Sequence, residues 1–266
     1  MKTIFPIHQT LSKTLLIILT TACVTTFSSC GRARKHVVGK SEEIIRIDST
    51  TDCTADTAYL KKVAELRKSM DELLDEVIGY APKPMQAYLP ESPLLNWACD
   101  ALYDIANESN LAPVDFSVTN VGGLRCDWSA GDITVRSVYE LMPFDNKLVV
   151  LDMRGIDVID LCQQFVPWGG QGVSKQLRMT IYKGKAIDIT INGEPVKNTK
   201  VYRVATSNYL AGGNDHLKAF KKAVKVESNG DNLRDVFIEY IRKQTAKGKP
   251  VAAQKDGRIV VKLKEN

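Results

Sequence analysis

Three short segments of the 266-residue chain combine residue types that can hold a ligand. In "SVTNVGGLRCDW", Ser117 to Trp128, an apolar strand-like run ends in Asn120, and Gly122, Gly123 and Arg125 follow. Glycine has no Cβ and reaches positive φ freely, so the backbone there can approach a ligand closely. Arg125, just past the turn, carries a fork of donors that suits phosphate or hydroxyl oxygens. In "LMPFDNKL", Pro143 stops a short helix, and Phe144 and Asn146 precede a strand that resumes at Lys147. An aromatic in such a loop packs on the core or offers its face to a ring-shaped ligand. In "SNYLAGGNDHL", a strand ends in Tyr209, an "AGG" turn follows, and Asp215 comes six residues after the aromatic. An aromatic face and a carboxylate at one turn suit a base that stacks and a sugar hydroxyl that donates. Taken singly, each segment is more simply a strand-to-loop turn.

The elements that would position them are read from periodicity. Leu60, Val63, Leu66, Met70, Leu73, Leu74, Val77 and Ile78 recur every three to four residues, which predicts a leading helix over about 58–79 whose stripe packs on a core. Three prolines in "APKPMQAYLPES" break it. Ser92 then opens a second helix, "PLLNWACDALYDIANES", with Leu95, Ala98, Cys99, Leu102 and Ile105 on one face. Strands are expected at "VDFSVTN", "KLVVLDMR", "LRMTIY", "AIDITIN", "VYRVATSNYL" and "RIVVKL", and helices at "VRSVYELM", "GIDVIDLCQQFV" and "DNLRDVFIEYIRKQTAK". This irregular mixture predicts an α+β fold, a single compact domain over 57–266 with a mixed β-sheet.

The start of the chain reads as a targeting segment. Lys2 and Lys13 with no acid precede and flank the run "LLIILTTACVTTF", which is about the length of a signal-peptide core and too short for a membrane span. "FSSC" then resembles the lipobox of bacterial lipoproteins, with Phe27 where Leu is usual. On that reading residues 1–29 are a lipoprotein signal peptide and Cys30 is the lipidated first residue, anchored to a membrane by acyl chains. A plain secretory signal is the alternative, and both place the chain outside the cytoplasm, in the periplasm or on the cell surface. Residues 30–56, polar and mixed in charge, read as a flexible tether. The net charge of +5 is too mild to suggest nucleic acid as a partner. Cys53, Cys99, Cys126 and Cys162 show no CxxC spacing, and both disulfides and buried thiols fit an exported chain.

"TNVGGLR", "AGDIT", "MPFDN" and "Y…GGND", in this order between Ser92 and Phe220, resemble the C-terminal, substrate-binding domain of the 5'-nucleotidase family, here as a stand-alone bacterial lipoprotein. Family members carry patterns like "TNGGGIR", "AGDIT", "LPFGN" and "F…GGDG". The resemblance implies that Asn120 and Arg125 bind the ribose or phosphate side of a nucleotide beside Gly122 and Gly123. It implies that Phe144 and Tyr209 sandwich the base, that Asn146 bonds the base edge, and that Asp215 accepts from the ribose hydroxyls. Three departures stand out. Val121 replaces a glycine, Asn214 replaces another with a residue that enters the left-handed region cheaply, and no arginine lies between Arg67 and Arg125, leaving Lys83 as the nearest cation.

Family enzymes hydrolyse phosphate esters with two metal ions held in a separate domain of clustered Asp, His and Asn. Here the only histidines are His8, His36 and His216, with no "GNHE"-like segment. No metal site and no catalytic residue is expected in this chain, and His216 beside Asp215 does not by itself supply the barrier reduction that phosphate-ester hydrolysis needs. The expected function is therefore nucleotide or nucleoside recognition for a 5'-nucleotidase-type phosphohydrolase in nucleotide catabolism, with no cofactor of its own. Divalent metals would sit in a separate metallophosphatase chain, and the membrane would be met through the lipid anchor. Whether the chain is itself an enzyme stays open. A stand-alone nucleotide-binding lipoprotein for uptake and a structural lipoprotein with a decayed pocket are the alternatives.

Overall fold

The computed structural model describes residues 40–42, 44 and 56–262. The signal segment 1–29, Cys30, Cys53 and nearly all of the expected tether lie outside the described residues. The elements are α1 (Thr57–Leu74), β1 (Val77–Ala81), α2 (Pro93–Glu108), β2 (Phe116–Thr119), β3 (Gly131–Thr134), α3 (Val135–Leu141), β4 (Leu148–Arg154) and α4 (Gly155–Phe165). They continue with β5 (Gly172–Val173), β6 (Leu177–Tyr182), β7 (Lys185–Ile191), β8 (Glu194–Pro195), β9 (Val201–Ser207), α5 (Asn208–Ala211), β10 (Lys225–Glu227), α6 (Leu233–Ala246) and β11 (Ile259–Lys262). The α+β class is as expected, but the strands form two mixed sheets and a two-stranded ribbon rather than one sheet.

α1 begins where Asp56 accepts from the Tyr59 N–H at 3.0 Å, a side-chain N-cap. It ends at Leu74, five residues short of its expected end near Gly79, because Val77–Ala81 is the strand β1, paired antiparallel with β3. Two β-branched residues followed by glycine favour extended backbone over another helical turn. Gly79 is also needed for space, since a Cβ there would strike Ile241 at 2.7 Å. The expectation that the stripe packs on the core holds only at its end: no residue of α1 is buried and Leu60, Leu66, Met70 and Leu73 are all more than half exposed, while Leu74 is partly buried against the core. Ile78 does reach the core, but from β1. Charge also ties α1 to the domain, with Arg136 reaching Asp71 at 2.6 Å and Asp75 at 2.8 Å.

α2 behaves as its pattern predicts. Ser92 and Pro93 open it, and Leu95, Ala98, Cys99, Leu102 and Ile105 are all buried. Cys99 and Cys162 are buried free thiols, and no disulfide forms among the described residues. Burial pushes the Cys162 thiol up to about 12, so both behave as small apolar side chains.

The larger sheet has the order β10-β4-β9-β2-β5, with β4 antiparallel to β9 from Leu148 opposite Ser207 to Arg154 opposite Val201, and β2 parallel to β9. Both faces are covered. Leu148 and Val150 join one core with α2, β1 and α6, while Leu151 and Met153 join the other with α4 and the smaller sheet β11-β6-β7-β8. Side chains alternate along a strand, so a strand covered on both faces reads as a continuous apolar run, "LVVL". This pairing also fixes where the loops emerge. β2 and β9 run in parallel and β4 runs against them, so the chain leaves β2, leaves β9 and enters β4 at the same end of the sheet.

Candidate functional site

The three segments singled out from residue type meet at that end. Asn120 follows β2, "PFDN" precedes β4, and Tyr209 sits in the short helix α5 directly after β9. All eight expected site residues, Asn120, Gly122, Gly123, Arg125, Phe144, Asn146, Tyr209 and Asp215, line one cavity of about 330 Å³. Residues from 120 to 215 come together there because their strands are neighbours in the sheet.

Each loop is held by bonds that follow from its residues. Val121–Gly123 forms one 3-10 turn, in which Gly123 N–H donates to Asn120 O at 3.0 Å. Neither glycine uses positive φ, contrary to the expectation from residue type. Gly123 is required for space instead: a Cβ there would lie 2.7 Å from Asn120 Oδ1, because the asparagine folds back over the turn. The "PFDN" loop is pinned from behind by α6, with Leu233 N–H donating to Asn146 O at 2.9 Å and Arg234 paired with Asp145 at 3.0 Å. Asn208 joins it to α5, its Oδ1 accepting from Lys147 N–H at 2.7 Å.

The turn after α5 also departs from expectation. The left-handed positions are Gly213, Asp215 and His216, with φ of 75°, 52° and 63°, and not Asn214. Asn214 closes the turn through its side chain, Nδ2 donating to Tyr209 O at 2.7 Å. Two consecutive non-glycine residues at positive φ are uncommon and mark a conformation imposed by the surrounding structure. Their effect is to turn the Asp215 carboxylate toward Asn120, whose Nδ2 donates to Asp215 Oδ2 at 2.5 Å.

The other carboxylate oxygen accepts from the Tyr209 hydroxyl at 2.7 Å. That bond, followed by desolvation and the charge of Asp215, holds the Tyr209 phenol above its ordinary value. Phe144 and Tyr209 are 45% and 41% exposed, so both rings keep an open face. The Arg125 guanidinium lies 6.0 Å from the centre of the Phe144 ring and donates to Gly122 O at 3.2 Å. The arrangement provides aromatic surface, a cation, an amide and a carboxylate around a small concavity, a set suited to a neutral ring with a polar edge and hydroxyls.

Residue types alone did not single out Trp168 and Gln171, which stand on the far side of Asp215 in an adjoining cavity. "PWGG" has the same aromatic-then-glycine form as "YLAGG", and that is the signal that could have found Trp168. Among the described residues no group of three or more His, Cys, Asp or Glu side chains could hold a metal ion.

Comparison with known proteins follows the same residues. The family model described as "5'-nucleotidase, C-terminal domain" matches residues 77–222. Cell wall protein Lmo0130 of Listeria monocytogenes is 33% identical over 246 residues, 82% of this chain and 31% of its own length. Protein UshA of Escherichia coli is 32% identical over 145 residues, 53% of this chain and 26% of its own. The chain thus spans about a third or less of these curated relatives. Among solved structures, the 5'-nucleotidase precursor from Thermus thermophilus superposes with a TM-score of 0.64 at 25% identity, covering 76% of this chain and 43% of that one.

Proposed function

The chain belongs to the 5'-nucleotidase C-terminal domain family, and on that premise we propose that it is the nucleotide- or nucleoside-recognition part of a 5'-nucleotidase-type phosphohydrolase. The observation that carries this reading is the assembly of eight residues from three sequence segments around one cavity. A base would lie between Phe144 and Tyr209 with its edge on Asn146. Asp215 would accept from ribose hydroxyls, and Arg125 with Asn120 would face the phosphate side. Here the Tyr209 hydroxyl already donates to Asp215, so a ribose hydroxyl entering the site takes over a bond that exists rather than filling an empty acceptor. The enthalpy gained is correspondingly a difference between two similar bonds. Most of the affinity then falls to stacking, at about 1–3 kcal/mol per base face.

Hydrolysis belongs, on this reading, to a metallophosphatase chain supplied separately, and a lipid on Cys30 would hold recognition and catalysis on one membrane surface. The signal-like start of the sequence supports export, as does similarity to a protein described as a cell wall protein. The test is calorimetric titration of the full chain with AMP and adenosine. Both should bind, and Phe144→Ala and Tyr209→Ala should each weaken binding about tenfold. No heat at millimolar ligand would overturn the recognition role. Binding that persists while no metallophosphatase gains AMP hydrolysis from the chain would favour nucleotide capture for uptake instead.

A further inference from the structure

Past Asp215 the cleft opens into a second cavity of about 550 Å³, larger than the first. The two share Asn120, Gly122 and Asp215, but Arg125, Phe144, Asn146 and Tyr209 line only the first. The second space therefore adjoins the Asp215 carboxylate assigned to the ribose hydroxyls and the shared Asn120, but not Arg125. A ligand that keeps its phosphate side at Arg125 would enter this space from the hydroxyl edge of its sugar.

The walls of this space have their own chemistry. Trp168 is 53% exposed, and its ring stacks on His216 with centroids 5.4 Å apart and planes 22° apart. A 3-10 turn, Val166–Trp168, presents it, and Gly169 and Gly170 follow at φ of 77° and 143°. Gly170 lies so close to Pro90 that a Cβ would meet that ring at 2.8 Å, which fixes the turn against the body of the domain. An aromatic face held open by a rigid turn is a stacking platform. Gln171 is 5% exposed, and its Oε1 accepts from Gly172 N–H at 3.2 Å, which holds the side-chain amide in the wall of the cavity. Lys218 brings an ammonium to the rim. A ring platform, a side-chain amide in the wall and an ammonium at the rim match a second ring joined through an anionic link.

We infer that the Trp168 cavity receives a second nucleotide, linked by a phosphodiester to the ribose hydroxyl edge of the nucleoside held at Phe144 and Tyr209. Lys218 and the Gln171 amide face the phosphodiester, and Trp168 stacks the second base. Asp215 would repel that phosphate, so it must keep a donor: in a ribonucleotide joined through its 3' oxygen, the neighbouring 2' hydroxyl supplies one. The site would thus take 3'-linked ribodinucleotides in preference to mononucleosides. This inference rests on the nucleoside reading of the first cavity.

The test compares adenosine with adenylyl-(3',5')-adenosine and its deoxy counterpart on the full chain, by calorimetry and by tryptophan fluorescence. Trp97 and Trp128 are buried, so quenching reports on Trp168. The ribo-dinucleotide should bind about tenfold more tightly than adenosine and quench the emission, and the deoxy form should lose most of that gain. Trp168→Ala and Lys218→Ala should each reduce the gain and leave adenosine binding unchanged. Trp168→Phe, which keeps a stacking ring, should retain it. If adenosine binds and the dinucleotide is no tighter, or its advantage survives Trp168→Ala, the second subsite is overturned and the first stands. If neither ligand binds, both readings fall together.

Discussion

Arg258 and Asp215 each stand at the hub of a charged hydrogen-bond network, one inside the domain and one at the cleft. Arg258 is 2% exposed, and all five of its N–H donors are used. They go to Asp256 from Nε and one terminal nitrogen, to both oxygens of Asp100, and to Val173 O at 2.9 Å. Glu91 completes the cluster, accepting from Asn96 Nδ2 and from the Gly257 N–H. Asp215 also has both oxygens occupied, but by two side chains at the mouth of a cavity, one of them the half-exposed Tyr209. The bonds are of the same kind and their consequences differ. Where the central cation is buried and every donor has a fixed partner, the network is structure. Where one partner stands at an open face, a ligand can take its place.

The largest effect should come from opening the closed network. Arg258→Met leaves the carboxylates of Asp100, Asp256 and Glu91 without their shared cation, at about 3–5 kcal/mol. For a domain of this size that is a Tm lower by roughly 6–20 °C, read in a thermal scan. The same cluster sets an acid limit. Burial pushes the Asp256 carboxyl up, but hydrogen bonding and charge from Arg258 outweigh it and hold Asp256 below the ordinary carboxylate range. A depressed folded-state pKa means stabilisation that is present above the unfolded value, about 3.9, and lost as the pH falls through the folded value. Stability of the native chain should therefore decline below about pH 4, and this part of the decline should be missing in Arg258→Met.

At the open network the balance reverses. Asp215→Asn keeps a residue tolerant of positive φ, so its stability should change by no more than about 1 kcal/mol. Its adenosine affinity should fall about tenfold or more, since a charged acceptor is lost. Equal damage to stability and binding would show that the site is no looser than the core. Smallest should be Tyr209→Phe. It removes the internal donor and leaves the ring, so stability should stay within about 0.5 kcal/mol and adenosine should bind about two- to fivefold more tightly as one Asp215 oxygen is freed. Weaker binding would mean that the hydroxyl positions Asp215 rather than competing with the ligand.

The difference between these networks also marks what was legible in the sequence. That these candidate residues share one cavity was readable because each segment is local: an aromatic or a donor beside glycine, close to the end of an apolar strand, as in "SVTN" and "YLAGGND". The sheet then had only to set the strands side by side. The Arg258 cluster was not readable, because its partners lie up to 167 positions away at Glu91 and carry no pattern of their own. α1 and α2 teach the same lesson about helices. Both show an apolar stripe at helical spacing, yet α2 buries its stripe and α1 leaves most of its stripe exposed. Periodicity reports that a face exists and is silent on what covers it. β1 was lost for a related reason, since Val77 and Ile78 continue the helical spacing while their pairing with β3 depends on residues some 55 positions on.

The attachment of α1 has a consequence for solution conditions. Its ion pairs run from Arg136 to Asp71 and Asp75, side chains that are themselves partly open to solvent. Such pairs weaken as added salt shortens the screening length from about 10 Å at 0.1 M toward about 3 Å at 1 M. A helix of 18 residues without burial is marginal once released. Rising ionic strength should then accelerate amide hydrogen exchange along α1 while α2 and the central sheet keep their protection, making α1 a separate unit of opening within an otherwise cooperative domain.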